Sequence, residues 1–256
     1  MAGMSRASVS PVPQGRMLRE RNRIFYDGLW ARARLVAPQR LNTWPLVQSL
    51  VSRLPRRLEV APGLRPRLPL QGTTFVDLSP PALKALAASG ARAVQAEISR
   101  VPFPDGAFDL VCALDVIEHI EDDERALAEL CRVATADGTL LLSVPLHAAR
   151  WSAFDELVGH HRRYEPPALM ELLLRHGVSV QHSCVYGMKP RSSRLLDFGM
   201  WWLTHHPRRA MWWYNRVIMP LGVLLQPTLD LASGVIDTRD VDEILLVCKT
   251  RAAIVE

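Results

Sequence analysis

Three acidic residues follow one another along the chain, each at or just after the end of a short β-rich run. They are Glu59 in RLEVA, Asp77 in TTFVD and Glu97 after ARAVQA. A carboxylate in such a place accepts charge-assisted hydrogen bonds from hydroxyl or amino groups of a bound ligand. After Glu59 comes the small-residue turn Ala61-Pro62-Gly63, where backbone can approach a ligand closely. FDLVCALD then ends at Asp115, and His119 stands four residues on, able to orient or deprotonate a reacting group. His119 reads equally well as a cap on the acidic helix that follows. Farther along lie His147, Trp151, Phe154, Asp155 and the run Gly159-His160-His161-Arg162-Arg163-Tyr164. Its arginines and tyrosine suit an anionic group held by forked hydrogen bonds; for Arg162, bonding to acids on the nearby surface is the stronger alternative. His160 and His161 are adjacent, so their side chains diverge, and no third ligand is evident beside them. No metal site is expected.

The elements that must position these residues alternate between strand and helix. The runs 57–61, 73–77, ARAVQA, FDLVCALD, TLLLSVP, VSVQHSCVYG and EILLVCK are apolar and mostly non-alternating, as strands covered on both faces are. Ser79 caps a helix that carries Pro80 and Pro81 in its first turn and stops at Gly90. Glu121 to Glu124 open another, whose apolar face is Leu127, Leu130, Cys131 and Ala134. A third runs from Tyr164 to His176, before Gly177. This pattern predicts an α/β domain, a doubly wound and mostly parallel sheet with helices on both faces. Only residues 62–72 join the first two strands, so that crossover is shortened and its helix is missing or cut to a turn. A dinucleotide site is excluded, because the turn after the first strand has one glycine rather than GxGxxG and is followed by Pro66 and Pro69.

Composition sets the outer limits. The chain has 256 residues, 48% hydrophobic and 22% charged, which is ordinary for a globular protein and excludes a disordered or fibrous one. Four scattered cysteines, with no CxxC pair, fit the reducing cytoplasm. A net charge of +5 is too small to indicate nucleic acid, and no nucleic-acid partner is expected. Residues 1–40 hold eight arginines against Glu20 and Asp27. They read as a frayed basic lead into the first helices, with an organelle transit segment as the alternative. No apolar run reaches the length of a membrane span, and no secretory signal is expected.

The ordered acids, with VDLSPPAL, AEISRVPFPDGAFDLVCALDVIEHI and ELCRVATADGTLLLSVP, resemble the S-adenosylmethionine-dependent methyltransferases of the seven-stranded class I, type 11 group. The resemblance runs from about Leu58 to Gly187 and implies a Rossmann-like seven-stranded sheet. S-adenosylmethionine is the implied cofactor. Asp77 would take the ribose hydroxyls, Leu78 the adenine face, Glu97 the adenine amino group, and Ile98 would pack on the ring. Glu59, Ala61, Gly63 and Asp115 would border the methionine part, and His119, His160 and Tyr164 the acceptor. The family loop has three glycines where this chain has Ala61, Gly63 and Arg65. Arg65 must therefore point away or meet the methionine carboxylate.

The chain divides on this basis into a basic N-terminal segment (1–40), the methyltransferase core (41–187), an insertion (188–240) and the last strand with its tail (241–256). The insertion carries Trp201, Trp202, Trp212 and Trp213 among histidines and arginines. It suits a lid, a dimer contact, helices closing the core or a peripheral membrane contact. The expected activity is methyl transfer to a small-molecule or lipid-like acceptor in the cytoplasm, free or at a membrane surface. The alternative is a non-catalytic, methyltransferase-like binding or scaffold protein.

Overall fold

A computed structural model describes residues 14–31, 33–187, 198–199, 201–202 and 205–250. Eight strands form one sheet in the order β3-β2-β1-β4-β5-β8-β6-β7. They are β1 (Arg57–Val60), β2 (Thr73–Asp77), β3 (Arg92–Gln95), β4 (Phe108–Leu114), β5 (Ala134–Pro145), β6 (Val178–Val185), β7 (Ala232–Ser233) and β8 (Glu243–Thr250). The first five pair in parallel, and β8 runs antiparallel between β5 and β6. The eighth strand beyond the expected seven is β7, a two-residue edge piece contributed by the insertion.

Both faces of the sheet are apolar because neighbouring residues on its central strand serve opposite cores. Val111 and Ala113 of β4 pack beneath α4 (Asp123–Val133) and α6 (Pro166–Arg175), with Leu127, Leu130 and Leu169. Leu110 and Cys112 pack on the other face with α2 (Trp44–Val51) and Leu68. That arrangement produces the continuous apolar strands.

No helix joins β1 to β2, as the short connection implies. Its place beside the loop is filled by α1 (Gln14–Trp30), which also touches α3 (Pro80–Ala88) and α5 (Ala153–Val158). Leu29 and Trp30 of α1 bury against Leu64 and Ala82. Residues 1–40 are thus not wholly separate from the core, although residues 1–13 lie outside the described part. The insertion supplies α7 (Pro207–Trp213), a π-helical turn (Tyr214–Ile218) and α8 (Met219–Leu224), while residues 188–197 of it lie outside the described part. Trp201, Trp212 and Trp213 are about half exposed. Among the described residues no helix is long and apolar enough to cross a membrane.

Candidate functional site

Parallel strands end together, and ligands of such sheets sit beyond their carboxyl ends. Here the chain turns sharply at that edge. Ala61, Asp115 and His147 follow β1, β4 and β5, and among the described residues they are the non-glycine positions with positive φ, at 52°, 55° and 62°. Backbone of this kind costs about 1–3 kcal/mol per residue and collects at functional sites. Ala61 and Asp115 line a cavity of about 1010 Å³ above the strand ends. That lies at the top of the usual range for small-molecule sites, roughly 300–1,000 Å³.

Asp77 ends β2 on the cavity wall and is buried. Its Oδ2 accepts from the Gly63 amide at 2.9 Å and its Oδ1 from the Ser79 amide at 2.8 Å. Desolvation raises its pKa above the usual aspartate value, opposed by these backbone donors. Two amides fix the carboxylate and leave acceptor capacity toward the cavity, since a carboxylate offers about four lone-pair sites. Leu78 is 54% exposed at the same wall, beside exposed Glu97 and buried Ile98. Ser79 stands at the N-cap position of α3, but its hydroxyl donates to Asp27 Oδ1 at 2.6 Å instead of capping the helix.

Glu59 works mostly behind the cavity wall. Its carboxylate accepts from the Arg67 and Leu68 amides at 2.8 Å each, which ties the short crossover to β1. Burial pushes its pKa up to about 7. Gly63 does not line the cavity. Its φ is +54°, and a Cβ there would lie 2.2 Å from the Trp30 indole, so glycine is required by the packing of α1. Arg65 neither turns out to solvent nor fills the cavity alone. Its guanidinium lies between the rings of Trp30 and Tyr214, at 5.5 and 5.4 Å, and donates to the Tyr214 hydroxyl at 2.6 Å.

At the other end of the cavity stand Asp115 and His119. Ser143 Oγ donates to Asp115 Oδ1 at 2.6 Å. His119 Nδ1 lies 2.8 Å from the Asn22 side-chain amide and 3.3 Å from the Gly159 carbonyl. Burial drives the pKa of its imidazole down to about 3, so the ring is neutral. His160 and Tyr164 do not reach the cavity. His160 Nδ1 is 2.9 Å from Asp155 Oδ1, and the Tyr164 hydroxyl donates to Asp123 at 2.7 Å, both in buried surroundings. Arg163 is buried between Asp155 and Asp242, whereas Arg162 pairs with Asp123 and the Glu121 carbonyl. His147 Nε2 donates to the Thr238 carbonyl at 2.8 Å.

Residues 61–142 match the family described as "Methyltransferase domain". This part of the chain is thus similar to methyltransferase domains. The match covers about a third of the chain and takes in the strand ends that bear Asp77, Glu97 and Asp115. Ajmaline N-methyltransferase of Rauvolfia serpentina is 43% identical over 47 residues, 18% of this chain and 16% of that protein. An uncharacterized methyltransferase of Bacillus subtilis is 34% identical over 74 residues, 29% of each chain. The matched stretches thus span less than a third of these relatives. A SAM-dependent methyltransferase from Thermotoga maritima superposes with a TM-score of 0.57 at 17% identity, covering 93% of this chain and 97% of that one. A phosphoethanolamine N-methyltransferase of Haemonchus contortus, solved with S-adenosylhomocysteine, gives 0.55 at 14% identity, covering 94% and 62%. At these identities the likeness concerns the fold, which is the Rossmann-like fold of class I methyltransferases.

The methyltransferase family implies S-adenosylmethionine, and the cavity's donor set fits it. Asp77 offers an oriented carboxylate for a diol, Leu78 and Ile98 offer apolar surface for a base, and Glu97 an acceptor at the same end. The wall contributed by α1 (Asn22, Tyr26, Asp27 and Trp30) was not among the expected site residues. Its signal is the i, i+4, i+8 spacing of Asn22, Tyr26 and Trp30, which puts one polar and two aromatic residues on one helix face.

Proposed function

We propose that the protein is an S-adenosylmethionine-dependent methyltransferase acting on a small-molecule or lipid-like acceptor. The observation that carries this reading is Asp77, a buried carboxylate fixed by two backbone amides on the wall of a large cavity at the strand ends. Bound there, S-adenosylmethionine supplies a methyl group already activated by a sulfonium. The chain's own work is then alignment and exclusion of water. Asp77 and Glu97 hold the nucleoside end, Leu78 and Ile98 pack on its ring, and Asp115 borders the methionine part. The acceptor takes the end walled by Tyr26, Val116, His119 and Ile120. These mostly apolar side chains favour an organic acceptor over a nucleic acid. The small-molecule substrate in the name of the Rauvolfia relative agrees with that choice.

Calorimetry with S-adenosylhomocysteine tests the reading. Wild-type protein should bind it, and Asp77→Ala should weaken binding at least tenfold, since hydrogen bonds to charged groups contribute about 1.5–3 kcal/mol. No binding at millimolar ligand would favour a scaffold protein, and unchanged affinity in the variant would mean that the nucleoside end lies elsewhere.

A further inference from the structure

We propose that Glu118, His119 and His160 form a divalent metal site of the zinc class just behind the cavity, which His119 alone of the three lines. One ligand atom from each of the three lies within 4.8 Å of the other two. Two ligands sharing an ion at bonds of about 2.0–2.2 Å sit roughly 3–4 Å apart, so a side-chain adjustment of about half an ångström gathers this set. Glu118 is fully buried and His160 nearly so, which separates them from the acidic clusters common on surfaces.

The surroundings supply what a metal site needs. Asp155 Oδ1 lies 2.9 Å from His160 Nδ1, so that nitrogen carries the proton and Nε2 turns its lone pair toward Glu118 Oε1, 3.8 Å away. A carboxylate behind a ligating histidine fixes its tautomer and raises its basicity. Arg163 holds the same Asp155 in place at 2.9 Å. His119 Nδ1 accepts from the Asn22 side-chain amide at 2.8 Å and lies 3.3 Å from the Gly159 carbonyl; for an ion to bind Nε2, the ring proton moves to Nδ1, where the Gly159 carbonyl accepts it as the Asn22 amide turns away. Two imidazoles and a carboxylate suit Zn²⁺ or Co²⁺ better than Mg²⁺, which prefers oxygen ligands and water. The ligands are not the adjacent pair His160 and His161 but His160 and two residues forty positions upstream, brought together by the 3-10 turn after β4.

Three protein ligands leave a position open, and His119 itself lines the cavity. An acceptor hydroxyl that reaches this position beside His119 would have its pKa lowered by the ion. The acceptor class is therefore a hydroxyl compound. Its oxygen forms the new bond to the methyl carbon and its proton goes to water, while the electrons of the broken carbon–sulfur bond stay on sulfur. This role rests on the methyl-transfer reading; the metal site itself does not.

The test uses full-length protein stripped with a chelator. Titration with Zn²⁺ against a chromophoric competitor, and with Co²⁺ followed in the visible spectrum, should show one equivalent bound. Glu118→Gln and His160→Gln should each weaken that binding tenfold or more, whereas replacing the exposed pair His205 and His206 by alanine should not. S-adenosylhomocysteine calorimetry on the stripped protein separates the two readings, because Asp77 and Glu97 stand at the opposite end and cofactor affinity should persist without the ion. Substoichiometric uptake by folded wild-type protein, or affinity unchanged in both variants, overturns the proposal. Should the variants fail to fold, anomalous diffraction from a zinc-soaked wild-type crystal decides it: a peak bonded to Glu118, His119 and His160 supports the site, and no peak there refutes it.

Discussion

Replacing Gly63 with alanine probes how firmly α1 is built into the cavity. Two costs arise at this position. The first is backbone: a φ of +54° is unfavourable for a residue with a Cβ, by about 1–2 kcal/mol. The second is contact: the new methyl would lie 2.2 Å from Cζ2 and 2.3 Å from Cε2 of Trp30, both in a rigid indole. Forced overpacking of this kind costs about 1–3 kcal/mol. Together they predict a loss of about 2–5 kcal/mol, read as a fall of roughly 5–15 °C in Tm for a chain of this size. A double-mutant cycle with Trp30→Leu separates the two. In that background the contact disappears and only the backbone cost of about 1–2 kcal/mol remains, giving a coupling of about 1–3 kcal/mol in urea unfolding. Equal cost for Gly63→Ala in both backgrounds would refute the packing of Trp30 on this turn. The same substitution should weaken S-adenosylhomocysteine binding, because displaced α1 takes Tyr26 and Asp27 away from the wall.

Glu59 predicts a pH dependence of stability. Its folded pKa is raised from 4.5 to about 7, so the folded state holds the proton more tightly than the unfolded one. The resulting stabilisation is complete below pH 4.5 and is lost as pH rises through about 7, an effect of order 3 kcal/mol. Urea unfolding at pH 5 and pH 8 should show a larger loss for wild type than for Glu59→Gln; equal losses would count against it. Arg65→Ala should loosen the π-helical turn Tyr214–Ile218 by about 1–2 kcal/mol through loss of the ring contacts and the bond to Tyr214. Hydrogen exchange of that turn should rise about tenfold, while exchange in β4 and β5 stays constant.

What could be read in the sequence was what local pattern determines. The strands, the α3 and α4 helices and the missing first-crossover helix follow from apolar runs, prolines and loop length. Asp77, Leu78, Glu97, Ile98 and Asp115 fall on the cavity wall because a strand end fixes where its last residues point. The misplacements occur where distant chain decides. Gly63 looked like a ligand-approach glycine because Trp30, more than thirty residues away, cannot be paired with it by spacing. His160 and Tyr164 leave from the right edge, but the loop folds back and engages them with Asp155 and Asp123. Arg65 lines the cavity and is held there between two aromatic rings, contributed by α1 and the insertion, that spacing could not pair with it.

The docking of α1 also bears on how the chain folds. Asn22 bonds to residues 97 and 136 positions away, His119 and Val158. The helix therefore closes some of the longest loops in the molecule, and such contacts form late because the chain entropy must be lost before they stabilise anything. Its docking surface is assembled from the turn after β1, the start of α3 and the end of α5, none of which exists when the helix leaves the ribosome. A segment synthesised early thus settles among the last, and until it does the strand-end cavity lacks the wall formed by Asn22, Tyr26, Asp27 and Trp30.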